Sequence, residues 1–239
     1  MNRHYPETSF GGFTDVDGTV IFFSRVNAML RPTDVVLDVG CGRGAYTTDS
    51  VPYRRNLRVL RGKVAKVIGI DVDPAGESNE AVDEFRLIDS STWPVESDSV
   101  DVVLADWVLE HIADVPQFLG ECRRVLRNGG LLCARTSNVM SYVGMLSRVI
   151  PNNLHSRALT VAQPERKAQD VFETTYKANT VRRLRSALKK AGFESVVYGY
   201  DSEPQYLAFS RIAYRIGVFH QRHAPSIIKP SLFAFARKV

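Results

Sequence analysis

The sequence predicts an α/β fold, a mostly parallel sheet with helices on both faces. Short apolar runs rich in β-branched residues recur along the chain, stretches of helical period fall between them, and one run ends on three alternating glycines. A chain of 239 residues with 44% hydrophobic content can bury one full core. Residues 1–239 are therefore read as one domain: a helical cover at 1–34, a ligand-binding core at 35–137, and insertions with the last strands at 138–239.

Residues 19–30 form a helix entered through the turn DVDGTV, where Asp17 or Thr19 supplies the cap. The first strand is 35–39 (VVLDV), the second 67–71 (VIGID), the third 85–88 (FRLI) and the fourth 100–105 (VDVVLA). A basic stretch at 52–66 (PYRRNLRVLRGKVAK) precedes the second strand and is expected to be a lid or surface loop with solvated charges. A helix at 115–126 begins near Asp114, carries Pro116 in its first turn and stops at Asn128-Gly129-Gly130, ahead of the fifth strand at 131–135 (LLCAR). A helix at 180–191 aligns Leu184, Leu188 and Ala191 on one face and ends before Gly192, its basic residues forming a solvated outer face. Strands at 193–198 (FESVVY) and 232–236 (LFAFA) complete the set. Residues 137–176 and 201–230 break the alternation and read as insertions at one end of the sheet, where acceptor specificity would be built.

Net charge is +5 with a pI near 9.2, which favours an anionic partner without identifying it. Cys41, Cys122 and Cys133 have neither metal-type spacing nor the density of a secreted scaffold, so a reducing compartment and no metal are expected. With no apolar run of membrane-spanning length and no signal-peptide core, the expected location is the cytoplasm.

Asp15-Val16-Asp17-Gly18-Thr19 resembles the nucleophile motif of the haloacid dehalogenase-like phosphotransferases. Its context argues against that chemistry. The nucleophilic Asp there ends a buried strand, whereas SFGGFT precedes it here, and no suitable Lys lies between it and Asp71-Val72-Asp73. The motif is a helix-leading turn.

The informative stretch is VLDVGCGRGAY, residues 36–46, a strand that runs into Gly40, Gly42 and Gly44 and then, by expectation, a helix. Gly40 permits the sharp turn, Gly42 lets a ligand touch the backbone, and Gly44 allows close helix approach. Alone, this indicates a nucleotide-like ligand at the switch point of an α/β sheet. Gly40, Gly42 and Ala45 also satisfy the relaxed dinucleotide pattern G-x-G-x-x-A. Asp38 separates the two cases, because a carboxylate beside the glycines repels a pyrophosphate and attracts a cation.

LDVGCGRG resembles the first motif of the class I S-adenosylmethionine (SAM)-dependent methyltransferases. Ile70-Asp71, Ile88-Asp89-Ser90, Ala105-Asp106-Trp107-Val108-Leu109-Glu110-His111 and Arg127-Asn128-Gly129-Gly130 match further segments in order, so the resemblance covers residues 19–137. It implies a Rossmann-like sheet of seven strands, the last antiparallel, with insertions before and after the sixth. It implies a cofactor site of Asp38, Gly40, Gly42, Gly44, Asp71, Val72, Asp89, Ser90, Asp106 and Trp107, with Asp71 on the ribose and Asp89 near the adenine. It offers His111 as general base, while Glu110 reads as a helix-terminus residue. Spacing sets one departure, since Gly44 to Asp71 exceeds the usual interval of about 20 residues before such an acid.

Methyl transfer from a sulfonium needs alignment and a dry pocket, and a hydroxyl of high pKa also benefits from a base. The implied acceptor is a small molecule or a glycan- or glycolipid-type hydroxyl, since segments around 170–180 and 203–207 also resemble methyltransferases of bacterial surface-polysaccharide biosynthesis. Rival readings are an NAD(P)-dependent oxidoreductase, against which Asp38 speaks, and a non-catalytic SAM-binding module. Scattered basic residues speak against a nucleic-acid substrate. Two apolar stripes with interspersed arginines, Tyr142/Met145/Leu146/Ile150 and Tyr206/Phe209/Ile212/Ala213/Ile216/Phe219, are expected to pack on the core. For 205–222 the alternative is peripheral contact with an anionic membrane.

Overall fold

The computed structural model describes residues 4–142, 144 and 173–239. Most of the first apolar stripe, from Met145 to Ile150, lies outside the described residues.

Seven strands form one sheet in the order β3-β2-β1-β4-β5-β7-β6. They are β1 (Val35–Val39), β2 (Lys66–Asp71), β3 (Glu84–Leu87), β4 (Val100–Asp106), β5 (Leu126–Ser137), β6 (Phe193–Tyr200) and β7 (Ser231–Lys238). The first five run parallel, and β7 pairs antiparallel with both β5 and β6. The seven-stranded, Rossmann-like arrangement with its antiparallel last strand is thus present.

Helices α1 (Gly18–Met29) and α2 (Pro52–Arg58) cover one face, where Phe22, Phe23 and Val26 pack on Val36, Val102, Leu104 and Phe233. On the other face, Phe118 and Leu119 of α3 (Val115–Val125) and Leu184 and Leu188 of α4 (Val181–Lys190) pack on Leu37, Val103 and Leu132. Asp17 is the residue that caps α1, its carboxylate accepting from the N–H groups of Thr19 and Val20 at 2.8 and 3.0 Å. DVDGTV is therefore a capped helix entrance.

Two expectations need correction. The glycine loop does not open onto a long helix; a four-residue 3-10 turn (Ala45–Thr48) follows Gly44, and α2 begins only at Pro52. The basic stretch after it is a surface loop only in its second half. Pro52–Arg58 forms α2, whose Arg54 bridges Asp17 and Asp49 and whose Arg58 turns into the protein. The register of β1 on β2 is regular from Val35↔Lys66 to Val39↔Ile70, so this extra length leaves the second strand undistorted.

Candidate functional site

Strand alternation gathers the polar residues. Side chains two apart share a face, and the face that carries Val36, Val67, Val102 and Cys133 beneath α1 continues to Asp38, Asp71, Asp106 and Arg135. All four lie at the C-terminal ends of their strands, the end of a parallel sheet where ligands bind. Three acids and a buried arginine thus meet without any local sequence signal linking them.

A cavity of about 720 Å³ opens there, lined by the glycine loop together with Asp38, Asp71, Asp106, Tyr46 and Arg58. Its size suits a nucleoside-sized ligand. Gly40, Gly42 and Gly44 all take positive φ, at 67°, 52° and 70°. At Gly40 a Cβ would sit 2.7 Å from Val108 Cγ2, so only glycine lets the turn after β4 approach. At Gly42 a Cβ would meet nothing within 4 Å, which leaves the backbone open to the cavity. Gly44 makes room for the Asn79 side chain, not for a helix. Asn79 donates in turn to the Cys41 carbonyl at 3.0 Å.

Asp38 is buried near the end of β1, with the Tyr46 hydroxyl close to it. Burial, with added repulsion from Asp106 and Asp71, pushes its carboxyl up to about 7 despite the Arg58 guanidinium nearby. Such a group binds a proton or a cation. Asp71 is buried and organises the loop: one oxygen accepts from Gly42 N–H at 2.9 Å and the other from Asp73 N–H at 2.9 Å. Asp73 caps the turn after it by accepting from Ala75 N–H, and stands 3.7 Å from Arg43. An Asp71→Ala protein is accordingly expected to lose at least about tenfold in ligand affinity, since each hydrogen bond to a charged group is worth about 1.5–3 kcal/mol. Asp73→Ala should lose less than about threefold. Titration calorimetry of the two variants checks this, and equal losses would remove Asp71 from its place.

Asp106 lines the cavity, but its carboxylate is engaged. Arg135 grips it with Nε and Nη2, the latter at 2.9 Å, and Arg58 Nη2 lies 3.4 Å away. Asp106, expected at the cofactor, thus also belongs to an ion-pair network in the cavity wall. Sequence reasoning missed Arg58 and Arg135. Arg58 lies 4.6 Å from the Tyr46 ring centroid and 5.7 Å from that of Phe23, and its Nε is buried without a partner. Arg135 also donates to Thr19 Oγ1 at 2.9 Å, which ties α1 to the site.

Five other expected residues lie outside the cavity lining. Val72 is 60% exposed, because alternation turns it away from the face that buries Asp71. Asp89 and Ser90 are exposed beyond the end of β3, the edge strand. Trp107 leaves β4 at φ 62°, a conformation costing a non-glycine residue about 1–3 kcal/mol, and its ring lies 5.2 Å from the Arg135 guanidinium.

His111 follows on the same turn, which is clamped by the chain at 173–176. Thr175 and Tyr176 N–H donate to the Glu110 carbonyl at 2.8 and 3.2 Å, and Thr175 Oγ1 to the Ile112 carbonyl at 2.7 Å. His111 Nδ1 is 2.9 Å from the Glu173 carbonyl. A carbonyl only accepts, so neutral His111 carries its proton on Nδ1 and Nε2 is the proton-accepting nitrogen. Glu110 is not at a helix terminus. Its buried carboxylate accepts from Thr136 Oγ1 at 2.7 Å, and burial raises its carboxyl above the ordinary range.

Residues 37–134 match the family model described as "Methyltransferase domain". The chain is 37% identical over 105 residues to the ubiquinone biosynthesis O-methyltransferase of Agrobacterium fabrum, covering 43% of this chain and 40% of that protein. It is 33% identical over 133 residues to a "Probable S-adenosylmethionine-dependent methyltransferase" of Mycolicibacterium smegmatis, covering 54% and 47%. The chain spans less than half the length of either relative. In fold it is similar to a SAM-dependent methyltransferase from Archaeoglobus fulgidus, with a TM-score of 0.58 at 15% identity over 97% of both chains.

Proposed function

We infer, from a core at residues 37–134 that matches the methyltransferase-domain model, that the protein is a class I SAM-dependent methyltransferase and transfers a methyl group to a hydroxyl of a small-molecule or glycan- or glycolipid-type acceptor. Asp38 carries the reading: a buried acid over an open glycine backbone fits a ligand bearing an ammonium and a sulfonium, and opposes a pyrophosphate. When bound, SAM supplies a methyl group already activated on sulfur.

The chain's own residues divide the remaining work. Asp38 neutralises the cationic end of the ligand, and Gly42 exposes the backbone it lies against. Asp71 holds the loop and takes the ribose, with Val72 just past the end of β2 and Asp89 and Ser90 beyond the end of β3. Phe23 and Leu104 keep water from the cavity floor. His111 Nε2 takes the hydroxyl proton as the oxygen attacks. The ubiquinone biosynthesis relative supports an oxygen acceptor.

Calorimetry with SAM, its demethylated product and NADH tests the cofactor. Binding of the first two is expected, and binding of NADH alone would reverse the reading. His111→Ala is expected to slow transfer to a hydroxyl acceptor by about 10²–10⁴-fold, the usual worth of a general base, while SAM affinity stays within about twofold. Unchanged turnover would exclude it as the base.

A further inference from the structure

Helix α5 (Arg211–His223) buries only one of its two apolar faces. Tyr214 and Val218 face inward and cluster with Tyr5 and Val16 of the N-terminal segment. On the opposite face Ile212, Ile216 and Phe219 are 74%, 63% and 66% exposed, and Phe209, just before the helix, is 77% exposed. The expectation that this stripe packs on the core is thus overturned. Contiguous large apolar side chains in water mark a docking surface.

Charge identifies what docks. Arg211, Arg215 and Arg222 are exposed along one flank of the stripe. From Pro204 to Val239 the sequence holds six basic residues, Arg211, Arg215, Arg222, Lys229, Arg237 and Lys238, and no Asp or Glu. A second copy placed face to face would set arginine against arginine with no acid from this segment to relieve them. An apolar stripe flanked by arginines matches a surface that is apolar within and anionic at its rim.

Topology gives the orientation. Ser231 at the start of β7 pairs with Ser137 at the end of β5 and Tyr200 at the end of β6. The segment that holds α5 therefore leaves the sheet at the end where β1, β2 and β4 open on the cavity. Ser202 Oγ accepts from Gly18 N–H at 3.1 Å, which fixes this segment to the start of α1.

We propose that α5, with Phe209, is an interfacial helix that lays the cavity end of the protein on an anionic phospholipid bilayer. Ile212, Ile216 and Phe219 enter the boundary of the acyl chains, and the three arginines meet headgroup phosphates. Docking is independent of the methyl-transfer reading, because no step of it involves the cofactor.

Co-sedimentation of the full chain with extruded vesicles tests it. Vesicles rich in phosphatidylglycerol should bind at least about tenfold more tightly than pure phosphatidylcholine, and added salt should weaken that binding. The double variant Ile216→Ser/Phe219→Ser should lose about tenfold or more with its far-ultraviolet circular dichroism and SAM affinity unchanged. Arg211→Gln/Arg215→Gln should lose the anionic preference. Absence of binding to either vesicle, or binding that the Ile216/Phe219 variant retains, overturns the proposal. A dimer in gel filtration that the same variant converts to monomer would give the face to a second copy instead.

Discussion

Replacing Asp38 with asparagine is expected to make the protein more stable and a poorer ligand binder at the same time. Buried beneath α1 and α2, the Asp38 carboxyl is raised from 3.8 to about 7. Between those values the folded chain holds a proton that the unfolded chain has released. The stability contributed by this group is therefore present below about pH 4 and falls as pH rises towards 7, by on the order of 4 kcal/mol before relaxation. An asparagine side chain carries no charge at any pH, so Asp38→Asn should melt several degrees higher than the parent at pH 8 without ligand. A bound cation reverses the balance, because it favours the carboxylate and expels the proton. SAM affinity of the parent should rise between pH 5 and 7, by at most tenfold per unit, and level off above 7. The variant's affinity should be flat across that window and about 100-fold weaker at pH 8, the loss of a charge-assisted contact worth about 1.5–3 kcal/mol. Calorimetry and thermal melts across pH measure both effects. A parent affinity that does not change between pH 5 and 7 would show that no cation meets Asp38.

The sheet and the glycine turn were legible because they depend on local pattern. Apolar runs located all seven strands, with β1 matched to the residue and β5 extended at both ends. Alternation also fixes which face Asp38 and Asp106 share once the strands are parallel and in register. Arginine partners follow no such pattern. Arg58 comes from a stretch whose composition reads as solvated, and its burial follows from α2 packing beside α1, where Asn27 Nδ2 donates to the Leu57 carbonyl. The two faces of α5 escape a periodicity reading for a related reason. Tyr214 and Val218 are as apolar as Ile212 and Phe219, so the pattern shows more hydrophobic surface than one contact needs but not which half is covered. A count of apolar residues around the helix, set against one buried stripe, was the signal available.

Arg135 concentrates several interactions in one buried side chain, and its loss is expected to have the largest effect on stability. Its guanidinium is bidentate on Asp106, donates to Thr19 Oγ1 and lies within 5.6 Å of the ring centroids of Phe22, Phe23 and Trp107. The side chain is 5% exposed and that of Asp106 10%. Arg135→Met keeps much of the apolar stem but leaves the Asp106 carboxylate facing only Arg58 at 3.4 Å. Breaking a buried pair in this way costs about 3–5 kcal/mol, roughly 10 °C in melting temperature for a chain of this size. Removing the second charge as well relieves the stranded acid, so Arg135→Met/Asp106→Leu should recover at least half of the loss. The recovery would make the two single effects non-additive by more than about 1 kcal/mol. Ligand binding separates scaffold from contact: a wall that only shapes the cavity predicts that the double variant, once folded, binds SAM within about tenfold of the parent. Additive losses in the melts would instead assign Arg135's contribution to its stacking on Phe22 and Phe23 and its bond to Thr19, with the Asp106 pairing contributing little.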